Sequence, residues 1–303
     1  MRLKELQRLQ DKDKVLKIIV IIAVFSVIVL LTLFTDFSSF LSPCVGIITI
    51  EGEISLESIP SSLFDYGKPG AEDIAATIMN IEKIRPNAKA LVVVINSPGG
   101  SVVGSRIIRD AIKNAKVPVV AYLSEVAASG GYYIATGSNY IIADPNSITG
   151  SIGVIAIFPD LRGLLEKLGI NITAITTGKY KGMGSFFEGL SEEQKVIVES
   201  ILNETYKEFI DVILEGRNGK ITRERLMQVA DGRILSGRQA QKIGLVDETG
   251  MKEDAIKKAM ELANIKERNV CEIKVMPGKT SFLMSHISAL NHFISSMQGL
   301  KFK

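Results

Sequence analysis

Ala90-Leu-Val-Val-Val-Ile95 is six apolar residues in a row, broken at once by Asn96-Ser-Pro-Gly-Gly100. A strand that faces water on one side alternates apolar with polar residues; one with no alternation must be covered on both faces. This run therefore predicts a central parallel strand with helices packed above and below it. The surroundings agree. Val45–Ile50, Val117–Leu123, Tyr140–Ala143, Ile152–Phe158, Ile172–Thr176 and Val270–Val275 read as strands. Ala71–Ile84, Val102–Ala115, Ala127–Gly137 and Leu161–Leu168 read as helices between them. Ser191-Glu-Glu-Gln194 has the form of a capping box and opens a helix to about Glu215. Shorter helices are expected at Arg223–Val229, Gly237–Ile243 and Lys252–Ala263. Alternation of this kind gives an α/β fold.

A second run sets the compartment. Ile18–Phe34 is 17 residues without a charge. With Val15, Leu16 and a snorkelling Lys17 it spans about 30 Å as a helix, enough to cross a bilayer. No small-x-small cleavage site follows closely, so a retained anchor is preferred to a cleaved signal peptide. Residues 1–17 carry six Lys/Arg against Glu5, Asp11 and Asp13. No Lys or Arg follows the span until Lys68. The positive-inside rule places the N-terminus in the cytoplasm and the rest of the chain outside. The implied organisation is a cytoplasmic basic segment at 1–17, an anchor at 18–34 and a linker at 35–44. A catalytic domain at 45–280 and a tail at 281–303 follow.

The N-terminal segment also accounts for the whole net charge of +3, leaving 30 basic and 30 acidic residues in the body. A balanced body gives no footprint for nucleic acid. Cys44 and Cys271 are the only cysteines. Outside the cytoplasm they could pair, but two distant cysteines make no disulfide framework, and two unrelated apolar residues is the plainer expectation. With only two histidines as well, no metal-ligand spacing is present and no cofactor is implied.

Those histidines, His286 and His292, both lie in the tail. A Ser-His-Asp triad would have to recruit the tail into the core, so a serine nucleophile here needs another base, and a neutral lysine is the known substitute. Three segments are candidates. In Ala127-Ala-Ser129-Gly-Gly-Tyr132, small residues surround a serine at a helix start, and the Gly130 N–H lies where an oxyanion donor is needed. The same serine could be a simple N-cap. Ser97-Pro-Gly-Gly100 follows the buried strand at its carboxyl end, where α/β sheets place their sites. It could equally be a plain turn. Gly178-Lys-Tyr-Lys181-Gly-Met-Gly184 is a glycine-rich turn bearing two lysines, which could be ordinary surface lysines.

Taken in order, these motifs resemble the signal peptide peptidase A family of serine–lysine peptidases. The resemblance covers roughly residues 45–250. It rests on Ile95-Asn-Ser-Pro-Gly-Gly100, Ala127-Ala-Ser-Gly-Gly-Tyr-Tyr133, Thr149-Gly-Ser-Ile-Gly-Val154, Lys181, and Asp231-Gly-Arg with Gly237-Arg-Gln-Ala240 and Gly244-Leu-Val-Asp247. It implies a Clp-protease/crotonase-like spiral of strand–strand–helix units. It implies Ser129 as nucleophile, Lys181 as general base, Gly100 and Gly130 as oxyanion donors, and Ser151 as a serine that orients the lysine. It implies a short-form homo-oligomer with the active site at or near a subunit contact. Its substrates would be remnant signal peptides and other unfolded peptides near the membrane. Lys179 departs from the pattern as a second lysine two residues early.

A free lysine titrates near ~10.4, so about 1 in 2,500 is neutral at pH 7. A lysine base must therefore be desolvated. Tyr180, Met183, Phe186 and Phe187 are available as apolar walls around Lys181. Two rivals share the expected fold. One is a crotonase-like acyl-CoA enzyme, which needs neither Ser129 nor Lys181. The other is a non-catalytic membrane scaffold with a peptidase fold.

Overall fold

A computed structural model of the chain describes residues 42–59 and 67–278. The expected basic segment, anchor, linker up to residue 41 and tail lie outside the described residues. No helix among the described residues is long and apolar enough to cross a membrane.

Three long parallel strands form the centre: β1 (Cys44–Glu51), β2 (Ala88–Ser97) and β3 (Val119–Ala128). Ala90–Val93 and Ile95 of β2 are buried, as a continuous apolar run requires. On one face lie α1 (Ala71–Met79), α2 (Ile81–Ile84), α3 (Val102–Lys113), the short α4 (Gly130–Ala135) and the inner side of α6 (Glu192–Gly216). On the other face α9 (Lys252–Leu262) covers Val45, Ala90, Val92 and Val120 through Ala255, Ile256 and Ala259. The remaining helices are α5 (Arg162–Lys167), α7 (Arg223–Met227) and α8 (Gly237–Ile243). The capping box on α6 forms as expected: the Gln194 N–H donates to Ser191 Oγ, and Gln194 Oε1 accepts from the Ser191 N–H.

The sheet forks where the site is built. The first half of β3 pairs with β4 (Tyr140–Ala143), its last three residues with β5 (Ile148–Gly150). Two short strands follow: β6 (Ile234–Ser236), antiparallel to β5, and β7 (Glu248–Thr249), parallel to β4. The result is a mixed α/β sheet. The expected helix from Ala127 is displaced by this fork. Leu123 still pairs with Ile95, but Ala127 pairs with Ser97, so β3 carries two extra residues across a bulge. The Asn96 side chain accepts from the Val126 N–H there, satisfying a donor the ladder would have used. Polar Ser124 and Glu125 sit in the bulge, where they read as the end of a strand.

Two further expectations are corrected. Cys44 and Cys271 form a disulfide. The last strand, β8 (Val270–Glu272), lies parallel beside β1, with Gly46 opposite Cys271. Distance along the chain said nothing about this, because an edge strand closes the sheet. The second correction concerns residues 152–158 and 172–176, which form no strand. They have no ladder partner among the described residues, and β-branched residues do not make a strand without one. Ile155, Ile157 and Ile175 are 79%, 77% and 96% exposed. Residues 154–188 are an arm in which no residue is fully buried.

Candidate active site

Ser129 sits between β3 and α4, at φ 53° and ψ −121°. That conformation is disfavoured for any residue with a Cβ. It is held from both sides: the Ser129 N–H donates to Gly150 O at 2.9 Å, and its carbonyl accepts from the Tyr133 N–H at 2.9 Å. The side chain makes no capping hydrogen bond. Ser129 therefore occupies the N-cap position without serving as a cap.

The Ser97–Gly100 turn packs directly on this serine. Gly99 (φ 104°) and Gly100 (φ 145°) adopt backbone that only glycine takes easily. A Cβ on Gly99 would lie 2.7 Å from the Gly130 nitrogen and 3.0 Å from Ser129 Cβ. A Cβ on Gly130 would lie 3.4 Å from the Gly100 nitrogen. Any side chain at Gly99 would thus push the two turns apart. A parallel bridge from Ile54 takes the Gly99 carbonyl and the Ser101 N–H, each at 2.8 Å, and uses no hydrogen bond from the Gly100 N–H. Gly130 opens α4, where N–H groups have no intrahelical acceptor. Two neighbouring N–H groups are left beside Ser129.

Ser129 and Ser151 line the same open cleft of about 570 Å³, together with Ile152–Ile155, Tyr206 and Ala230–Gly232. Ser151 also has a positive φ, 50°, fixed by its N–H donating to Arg233 O at 2.8 Å. Gly232 donates to Ile152 O, so the Asp231-Gly-Arg233 turn forms the far wall. Hydrogen bonds from the Arg233 side chain pull the Asp231 carboxyl down to about 2. That carboxylate is committed and unsuited to taking a proton at neutral pH. On the other side of Ser129 a small pocket of about 30 Å³ lies between Gly100, Val102, Ser105, Tyr133 and Phe209.

Lys181 stands apart. It is exposed in the turn of the arm, its N–H donating to Gly178 O at 3.2 Å, and it lines neither cavity beside Ser129. Within one chain Tyr180, Met183, Phe186 and Phe187 do not enclose it. The departure at Lys179 has a plain structural role. Lys179 Nζ donates to both Glu193 carboxylate oxygens at 2.7 Å, and that bond, with one to Tyr180, raises its affinity for the proton. A lysine held in this way is a poor base. Ser129, Ser151, Gly100 and Gly130 are thus brought together, while both lysines lie outside the cleft of their own chain. Sequence reasoning missed the part played by α6. Phe209 is buried in the core and Tyr206 packs against it, while their neighbours Thr205 and Glu208 line the small pocket. Among the described residues no group of His, Cys, Asp or Glu is arranged to hold a metal ion.

A serine presented this way, on a sheet whose segment 65–148 matches the Clp protease family, defines the class as a serine peptidase. Residues 111–266 match peptidase family S49, which spans Ser129, Ser151 and Lys181. The chain is 39% identical to a Methanocaldococcus jannaschii protein named as a candidate protease, over 74% of this chain and 72% of that one. It is 33% identical to an Enterococcus faecium protein named as a candidate signal peptide peptidase SppA, over 84% and 71%. Protease 4 of Salmonella typhi is 35% identical over 66% of this chain, which spans about a third of that longer protein. The chain belongs to peptidase family S49, the family of signal peptide peptidase SppA. The acyl-CoA reading gives way to a serine peptidase.

Proposed function

We propose that Ser129 is the nucleophile of a Ser/Lys dyad whose base is Lys181 of a neighbouring copy of the chain. Ser129 Oγ attacks the scissile carbonyl and its proton passes to Lys181 Nζ. The lysine then protonates the leaving amine, and a water hydrolyses the acyl-enzyme by the same route in reverse. Gly100 and Gly130 N–H groups hold the oxyanion in each tetrahedral state. Ser151, in the same cleft, orients the lysine.

The observation that carries this reading is the strained, uncapped Ser129 pressed against Gly99. Strain of this kind persists only where the surroundings enforce it, and it clusters at functional sites. The described residues contain no histidine, and the acids near Ser129 are Glu199, Asp231 and Glu208. These surroundings favour a base that comes from outside the chain's own cleft. The exposed arm supplies the reason for a second copy: it carries Ile155, Ile157, Phe158, Leu164, Leu168 and Ile175 in the open, on the same segment as Lys181. Covering those residues with a neighbouring protomer would also strip water from the lysine, as a neutral base needs.

The open cleft suits an extended peptide. An anchor at 18–34 would hold it beside the membrane, with remnant signal peptides and other unfolded peptides as substrates. The Cys44–Cys271 disulfide favours an oxidising compartment, which agrees with a catalytic domain outside the cytoplasm. A fluorophosphonate probe tests the nucleophile. Wild type is expected to label, Ser129→Ala not at all, and Lys181→Ala much more slowly. Equal labelling of Ser129→Ala sinks the assignment.

A further inference from the structure

The chain enters the sheet at a fixed point far from Ser129. The Ser42 carbonyl accepts from the Asn87 and Asn269 side-chain amides at 3.0 and 3.2 Å, and the Asn269 amide also donates to Pro43 O at 3.2 Å. The backbone just beyond is tied to the same two residues. The Cys44 N–H donates to Asn87 O at 2.8 Å, and the Val45 N–H to Asn269 O at 2.9 Å. Ser42 thus lies at the end of the sheet where β1, β2 and β8 begin. From there β2 runs ten residues to Ser97, about 30 Å of strand. The entry and the catalytic turns therefore occupy opposite poles. Only residues 35–41 separate the apolar run 18–34 from Ser42, and at full stretch they reach at most about 30 Å.

The entry pole has the chemistry of a surface that meets lipid. Lys83, Lys89, Lys116 and Lys266 are exposed in or beside the turns that lead into β2, β3 and β8. Among the described residues none of the four is paired with a carboxylate. Lys113 and Arg268, also here, are taken by Glu215 and Glu253. The exposed acids at this pole are Glu82, Glu267 and Glu261, the last held by Lys258. Met79, Ile84 and Leu262, at the ends of α1, α2 and α9, are exposed as well. Lys89 and Lys266 line an open groove of about 570 Å³ beside Ser42, room for a phosphate headgroup. At the catalytic pole the sign reverses: Glu51, Glu53, Glu57 and Glu125 are exposed where the strands end.

We propose that the entry pole is a docking surface for anionic phospholipid. Lys83, Lys89, Lys116 and Lys266 hold lipid phosphates, while Ile84 and Leu262 enter the interface. This rests on 18–34 being a membrane anchor, which brings the pole within reach of the bilayer. Ser129 then faces away from the lipid. A peptide still held in the bilayer must extend about nine or ten residues out of it to be cut.

The chain has no tryptophan, so a single one reports its own position. Full-length Ile84→Trp and Met251→Trp proteins are reconstituted into vesicles of phosphatidylcholine and phosphatidylglycerol in equal parts. The acyl chains are brominated and quench a tryptophan that touches them. Met251, exposed at the other end of α9 from Leu262, is the control. Ile84→Trp is expected to be quenched and Met251→Trp not. Leu262→Trp probes the same pole should Ile84→Trp fail to fold. Adding Lys89→Gln/Lys266→Gln, or using phosphatidylcholine alone, is expected to lower the docked-to-free ratio by about 10-fold or more. Equal quenching at the two poles overturns the proposal, as does quenching at Ile84 that ignores both the lysines and the lipid charge. Washing with alkaline carbonate separates the two levels. Protein that stays with the vesicles but is not quenched at Ile84 or Leu262 refutes the docking alone; protein that washes off refutes the anchor and the docking together.

Discussion

Breaking the Cys44–Cys271 disulfide is expected to weaken the fold by a few kcal/mol without abolishing it. The bond joins β1 to β8, the first and last strands described, across a sequence separation of 227. Loop-closure entropy alone gives about 5 kcal/mol for so long a loop, and removal of native disulfides is typically measured at about 2–4 kcal/mol. The lower range is expected here, because three ladder pairs between β1 and β8 remain after reduction. At about 2–4 °C per kcal/mol for a domain of this size, Tm falls by roughly 5–15 °C. Both sulfurs belong to buried residues, so reduction should need partial unfolding and be slow under native conditions. The assay is thermal unfolding with and without reductant, for wild type and for Cys44→Ala/Cys271→Ala. The double variant should match reduced wild type and ignore reductant. A Tm that does not move when wild type is shown to be reduced would mean that the disulfide adds no stability. Two free thiols in denatured, unreduced protein taken from outside the cytoplasm would mean that the bond does not form.

Two other outcomes follow from named contacts. Arg217, 1% exposed, forms a bidentate pair with Asp247, which also accepts from the Ile141 N–H. Burial works against the Asp247 carboxylate, but hydrogen bonds from Arg217 and Lys220 outweigh it and hold it below the usual range. A depressed acid stabilises the fold above its unfolded value near ~3.9, and that contribution is lost as pH falls through the lower folded value. Asp247→Ala should cost about 3–5 kcal/mol in denaturant unfolding by stranding a buried guanidinium, and it should remove this acid-range dependence. Ser129→Gly should abolish activity yet raise stability by about 1 kcal/mol or more, since glycine takes the Ser129 torsions without strain. A Ser129→Gly protein no more stable than wild type would show that the turn stores no strain.

Much of the fold was legible because its signals are local. The Ala90–Ile95 run predicted a doubly covered strand, and the Ser191–Gln194 box marked the start of α6 to the residue. The two glycine motifs were legible as candidates, since a serine among glycines at a strand end has few uses. What escaped was long-range. The fork at β3 depends on β5 competing with β4 for one strand, which neither Ser124 nor Glu125 announces. The disulfide depends on where β8 docks. The stretches at 152–158 and 172–176 have strand composition but no strand, because composition reports what a segment can pair with and not whether a partner is present. Glu208 was hidden for a similar reason: on α6 it reads as one more charged surface position, and only the approach of α4 makes it part of a pocket.

The proposed dyad joins a lysine supplied by one copy to the serine of another. Mixed assembly tests this directly: Ser129→Ala and Lys181→Ala subunits are prepared separately, shown to be inactive, then co-assembled and assayed for peptide cleavage. Each co-assembled oligomer contains intact serines in one kind of subunit and intact lysines in the other. Activity is expected to return on mixing. Mixed oligomers that form but stay inactive would contradict the shared dyad.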